Sequence, residues 1–123
     1  MNTNKEKIIY WALTVPFCLV MLGSGLAYLA GVPKIVEMIT ALGYPAYILK
    51  ILGTAKVLGS ITILTGRFPR IKEWAYAGFT FNLLGAFASH AFHGDPLIHV
   101  LVPLIPLALM IGSYVYWKKK EAI

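Results

Sequence analysis

The residues able to do chemistry are few, and they interrupt otherwise apolar sequence. Lys56 lies near the middle of an apolar stretch covering about 46–65. A charged side chain at the centre of a bilayer costs at least about 2.5–3.5 kcal/mol and is normally paired or functional. Asn82, at mid-depth of the stretch 73–93, is the expected hydrogen-bond partner. Glu37 is the expected ionic partner if its own segment dips among the helices. Two readings follow for Lys56: a polar network that fixes helix pairing, or a lysine lining a cavity for an anionic or carbonyl-bearing ligand.

A second group combines His90, His93 and His99 with Asp95 in the turn between them. His90 and His93 are one helical turn apart, so they share a face. Facing histidines could ligate a b-type haem or a divalent metal, or hydrogen-bond a quinone carbonyl. Equally, they suit helix ends meeting interfacial water. With no second histidine pair and no carboxylate-rich helix to support it, no metal site is expected. The chain has no phosphate loop, dinucleotide glycine fingerprint or serine–histidine–aspartate arrangement. Its one cysteine, Cys18, forms no intrachain disulfide and belongs to no CxxC pair.

The elements that must position these groups follow from composition. Of 123 residues, 59% are hydrophobic and only 13% charged. The first share exceeds the roughly 45–50% of soluble domains, and the second is about half the usual level. A soluble domain this short could not hide so much apolar surface, so the bilayer is the expected solvent. The net charge of +6 does not imply nucleic acid, because the basic residues sit in short clusters between apolar runs. Spans are expected at about 8–30, 46–65, 73–93 and 97–117, each near the 20 residues needed to cross hydrocarbon. The first is too long for a signal-peptide core and reads as a retained helix. The segment 32–43 is too short to span. Its Val32, Ile35, Val36, Ile39 and Leu42 follow helical spacing, with Lys34, Glu37 and Thr40 elsewhere, as in an amphipathic helix at the surface.

Lys5, Lys7, Arg67, Arg70, Lys72 and Lys118 to Lys120 fall on one side of a four-span arrangement, against Lys34 and Lys50 on the other. That asymmetry places both termini in the cytoplasm. The fold expected is therefore all-α: a polytopic membrane four-helix bundle, N-in and C-in, with a short amphipathic helix between spans one and two. Candidate packing stripes are Ala12, Pro16, Gly23 and Ala27; Gly53, Lys56 and Ser60; Gly78, Asn82, Gly85 and Ser89; and His99, Pro103, Pro106, Met110 and Ser113.

The runs Ala41-Leu42-Gly43-Tyr44-Pro45 and Ile51-Leu52-Gly53-Thr54-Ala55-Lys56-Val57-Leu58-Gly59 resemble the DoxX-like membrane proteins. So do Lys72-Glu73-Trp74-Ala75-Tyr76-Ala77-Gly78, Gly85-Ala86, Ser89-His90 and Gly94-Asp95, in the same order along nearly the whole chain. The resemblance implies a small bacterial inner-membrane protein of four helices. It directs attention to Lys56, Glu73, Asn82, Ser89 and His90. The family takes its name from a thiosulfate:quinone oxidoreductase subunit, other branches are linked to redox homeostasis, and a distant animal branch resembles a receptor-assembly chaperone. Lacking a cysteine pair, this chain departs from any thiol-based redox role.

Two functions are expected from these residues. One is a binding or assembly protein that holds a lipid-like ligand or a client helix in a small polar cavity lined by Lys56, Asn82, Glu37, Ser89 and His90. Membrane lipids, a membrane-protein client and a second copy in a homodimer are its expected partners, and nucleic acid is not. The alternative is a quinone-linked membrane redox subunit with its quinone or haem near His90, His93 and His99.

Overall fold

The computed structural model describes residues 4–121, with side chains through Lys119. The side chain of Lys120, one of the terminal basic residues, lies outside the described residues. The described chain is all-helical: α1 Asn4–Ala30, α2 Pro33–Ala41, α3 Ile48–Thr65, α4 Pro69–His93, α5 Leu97–Leu101 and α6 Leu104–Glu121. Proline opens α2 and α4, where the missing N–H would have had no intrahelical partner. Gly66 and Gly94 close α3 and α4 in the left-handed conformation, at φ 59° and 81°, which glycine adopts without steric cost. Pro16 is accommodated inside α1 without ending it. Pro103 behaves differently: it sits in the break between α5 and α6, with Pro106 in the first turn of α6, and the predicted span 97–117 is a broken helix.

Three stretches are long and apolar enough to cross a membrane: Asn4–Ala30, Ile48–Thr65 and Leu97–Lys119. α4 has 25 residues, about 37 Å at 1.5 Å per residue, but falls short of them in apolarity. α2 matches the amphipathic expectation. Ile39 is buried, Ile35 and Val36 are half-buried, and Lys34, Glu37 and Thr40 are exposed.

α1 packs along α3 and α6, and α4 packs against α3, α5 and α6. Phe17 of α1 meets Phe79 of α4 edge to face in the middle, with centroids 5.2 Å apart. The core also takes Cys18, Met21, Ile63, Leu83 and Met110. Large apolar side chains remain exposed on every long helix, among them Leu19, Ile51, Phe81 and Ile105. Exposed apolar surface on this scale is what a lipid-facing protein presents.

The tertiary arrangement corrects two stripes. The buried face of α1 is Tyr10, Thr14, Phe17, Cys18, Met21 and Gly25, whereas Ala12, Pro16 and Gly23 are exposed. On α4 the buried residues are Lys72, Tyr76, Phe79, Leu83 and His90, and Gly78 and Gly85 face outward with open space beside them. The stripe of α3 holds, with Gly53, Lys56 and Ser60 buried, and the last stripe holds from Pro103 onward: Pro103, Met110 and Ser113 are buried and Pro106 is half-buried, whereas His99 is exposed.

Candidate functional site

Lys56 sits in the α1–α3 seam and is 6% exposed. Gly25 and Gly53 put it there. A Cβ on Gly25 would lie 2.9 Å from the Lys56 Cβ, and one on Gly53 would lie 2.9 Å from the Gly25 carbonyl oxygen. The two backbones therefore approach as closely as hydrogen-only side chains permit. Across this contact the Lys56 ammonium donates to the Ser24 hydroxyl at 2.9 Å and lies 3.8 Å from the centroid of the Tyr28 ring. A hydroxyl and the negative face of an aromatic ring thus take the place of a carboxylate. The expected partners are elsewhere. Asn82 makes no side-chain hydrogen bond among the described residues, and Glu37 is exposed on α2 without an ion pair to any of them. The reason is geometric: α3 buries its lysine against α1, while Asn82 belongs to α4 on the opposite flank of α3.

Asn82 and Lys56 nonetheless share a cavity. A groove of about 330 Å³ runs between α3 and α4, with Leu52, Ala55, Leu58, Ile71 and Phe79 as apolar walls and Lys56 and Asn82 as polar ones. Gly59 and Gly78 form part of it. A Cβ on Gly59 would meet the Phe79 ring at 2.9 Å, whereas one on Gly78 would meet nothing within 4 Å. The absent side chain of Gly59 makes room for the Phe79 ring against α3, and beside Gly78 there is open space. A second groove, about 390 Å³, lies between α4 and α6 and is bounded by Thr80, Leu84, Leu107, Met110, Ile111 and Tyr114, among others.

The histidines gather as their spacing suggests. The Nδ1 groups of His90 and His93 donate to Asp95, at 2.5 and 2.7 Å. These bonds, His90 first, hold the Asp95 carboxyl below the usual carboxylate range. The ring of His99 stacks on that of His90, 6.3 Å between centroids. Ser89, one residue from this cluster, shares a 2.6 Å hydrogen bond with Tyr44 from the segment preceding α3. Among the described residues no group of three or more His, Cys, Asp or Glu could hold a metal ion.

A third site escaped the sequence reading. Lys72, read as a loop cation, is 5% exposed on the first turn of α4. Its ammonium donates to the Tyr10 hydroxyl at 2.6 Å and lies 4.6 Å from the centroid of the Trp117 ring. Beside it the Ser113 hydroxyl bonds Thr14 at 2.5 Å and Tyr76 at 2.7 Å, all buried. Glu73 accepts from Tyr114 and pairs with Lys118 at 2.8 Å. Tyr10, Lys72 and Trp117 thereby bring the start of α1, the start of α4 and the end of α6 together at one end of the molecule. The signal available beforehand was the i, i+4 pair Lys72 and Tyr76, which marks an inward face only if α4 starts before residue 73.

The pattern of a known family matches residues 12–113 of the chain. The chain belongs to the DoxX-like family. The match spans α1 to the middle of α6 and so includes Lys56, Lys72, Asn82 and the histidine cluster of this DoxX-like chain. No curated protein and no solved structure matches it.

Proposed function

We propose that this DoxX-like protein is a multi-pass inner-membrane four-helix bundle, with both termini cytoplasmic, whose task is binding rather than catalysis. An apolar chain, either a lipid-like ligand or a helix of a client membrane protein, occupies the α3–α4 groove. The observation that carries this reading is the groove itself. It lies at the low end of the 300–1,000 Å³ typical of small-molecule sites. Its walls are mostly apolar, and its polar groups include Lys56, the unbonded amide of Asn82 and the Thr62 hydroxyl, which donates to the Leu58 carbonyl. α4 supports the fourth span: its length suffices, and helices on both sides shield its polar face. The basic clusters at the end where Tyr10 meets Lys72 support the orientation.

The test uses the open space at Gly78. Protein purified in mild detergent is extracted, and the bound molecules are identified by mass spectrometry. Gly78→Leu sets its Cβ in open space, extends its branched end into the groove and is expected to lower retention at least tenfold. Gly85→Leu, also in open space but outside the groove, is expected to retain what the wild type retains. Retention by Gly78→Leu equal to the wild type would sink the proposal.

A quinone-linked redox role is the second reading, favoured by the Asp95-held imidazoles. With each Nδ1 committed to Asp95, a protonated His90 or His93 keeps its Nε2–H for a quinone carbonyl. Stoichiometric quinone in the extract, lost in His90→Ala, would move the assignment there.

A further inference from the structure

We propose that the occupant of the α3–α4 groove is an anionic glycerophospholipid, with an acyl chain along the groove and its phosphate at Arg67 and Arg70. This rests on the binding reading above and names its ligand class. The groove runs along the helices and has two unlike ends. One reaches Leu52 and Asn82; the other reaches Thr62, in the last turn of α3, and Ile71, in the first turn of α4. The segment that joins those two turns in the chain carries Arg67, and Arg70 directly precedes the groove residue Ile71. Both arginines are exposed, and neither has an ion pair among the described residues. Trp74 lines the same end and is 68% exposed. An exposed tryptophan on a membrane helix marks headgroup depth, so the two guanidiniums lie where lipid phosphates lie.

The polarity profile decides between lipid and helix. Two cations at one end and a mostly apolar wall beyond them, with the Lys56 ammonium already engaged by Ser24 and Tyr28 of α1, match a phosphate on a hydrocarbon chain. A client helix crossing the bilayer would present side chains along its whole length and an anion at that depth only by special provision. Arginine suits phosphate because its planar fork meets two oxygens at once.

The experiment reconstitutes the protein in vesicles of equal parts phosphatidylglycerol and phosphatidylcholine. It is then re-extracted in mild detergent, and the retained lipid is quantified. Basic groups at a membrane surface favour anionic lipid by roughly fivefold each, so the wild type is expected to retain phosphatidylglycerol over phosphatidylcholine by about tenfold or more. An Arg67→Gln/Arg70→Gln variant is expected to retain the same total lipid without preference. Equal retention of both lipids by the wild type, or undiminished preference in the double variant, overturns the anionic assignment and leaves groove binding standing. Unchanged total lipid in Gly78→Leu, or wild type carrying a client protein in place of lipid, overturns the groove occupancy on which the assignment depends.

Discussion

At the scale of single residues, the two buried lysines are held alike. Lys56 has Ser24 and the Tyr28 ring; Lys72 has Tyr10 and the Trp117 ring. Neither arrangement contains a carboxylate, so each lysine retains much of its desolvation cost. Lys56→Met, which keeps the stem and removes the ammonium, is therefore expected to leave stability unchanged or raise it by about 1–3 kcal/mol. Ser24→Ala leaves the ammonium with the ring alone and is expected to lower stability by about 1–3 kcal/mol. Denaturation in a mixed detergent series reads both, and a large loss in Lys56→Met would show that the lysine is a net structural asset. Asp95 gives a pH signature. Its folded carboxyl titrates below the unfolded value, through bonds from His90 and then His93. The stability it contributes is complete above the unfolded pKa of about 4 and lost as pH falls through the lower folded value. Acidification below that point is expected to lower the amide protection factors around Gly94 in the wild type, with a flatter profile in Asp95→Asn. Identical profiles would contradict the linkage.

At the scale of elements, the α1–α3 seam is set by which glycine faces inward. Gly25 and Gly53 are in backbone contact, while Gly23 has nothing within 4 Å of an added Cβ. Gly25→Ala must push the helices apart and is expected to cost about 1–3 kcal/mol; Gly23→Ala is expected to be neutral or slightly stabilising through helix propensity. Thermal unfolding in detergent separates them, and equal effects would mean that the seam is loose. The same distinction explains the misread stripes. Glycines and alanines were visible at helical spacing on α1 and α4, but small residues also occur on lipid-facing surfaces. The Ser60, Met110 and Ser113 faces were legible because each carries a larger or polar residue that lipid would reject or packing requires.

For the whole molecule, the decisive quantity is topology. The ends of the described chain converge where Tyr10, Lys72 and Trp117 meet, and α2 lies with the Tyr44–Ser89 contact toward the opposite end. In a Cys18→Ser background, Lys5→Cys and Arg67→Cys are expected to react with an impermeant thiol reagent only from the cytoplasmic side, and Lys34→Cys only from the other. Labelling of Lys5→Cys and Arg67→Cys from opposite sides would show that only one of the first two crossings is made.

The amino-acid order alone determined where the long helices lie, because apolar runs and glycine–proline punctuation act locally, but not the early start of α4 or the break between α5 and α6. It also determined the histidine–Asp95 cluster, whose members lie within ten residues of one another, and the anomaly of a cation at mid-span. Only the tertiary structure decided that Lys56 turns to Ser24 and Tyr28, that Lys72 is buried, and that Gly25 is the contact glycine. The physical reason is the solvent. In water the apolar face of a helix names its buried side, but lipid tails are as apolar as leucine, so hydrophobic periodicity carries little inside–outside information. Shape complementarity and the partners of a few polar groups make that choice, and both require the neighbouring helices to be in place.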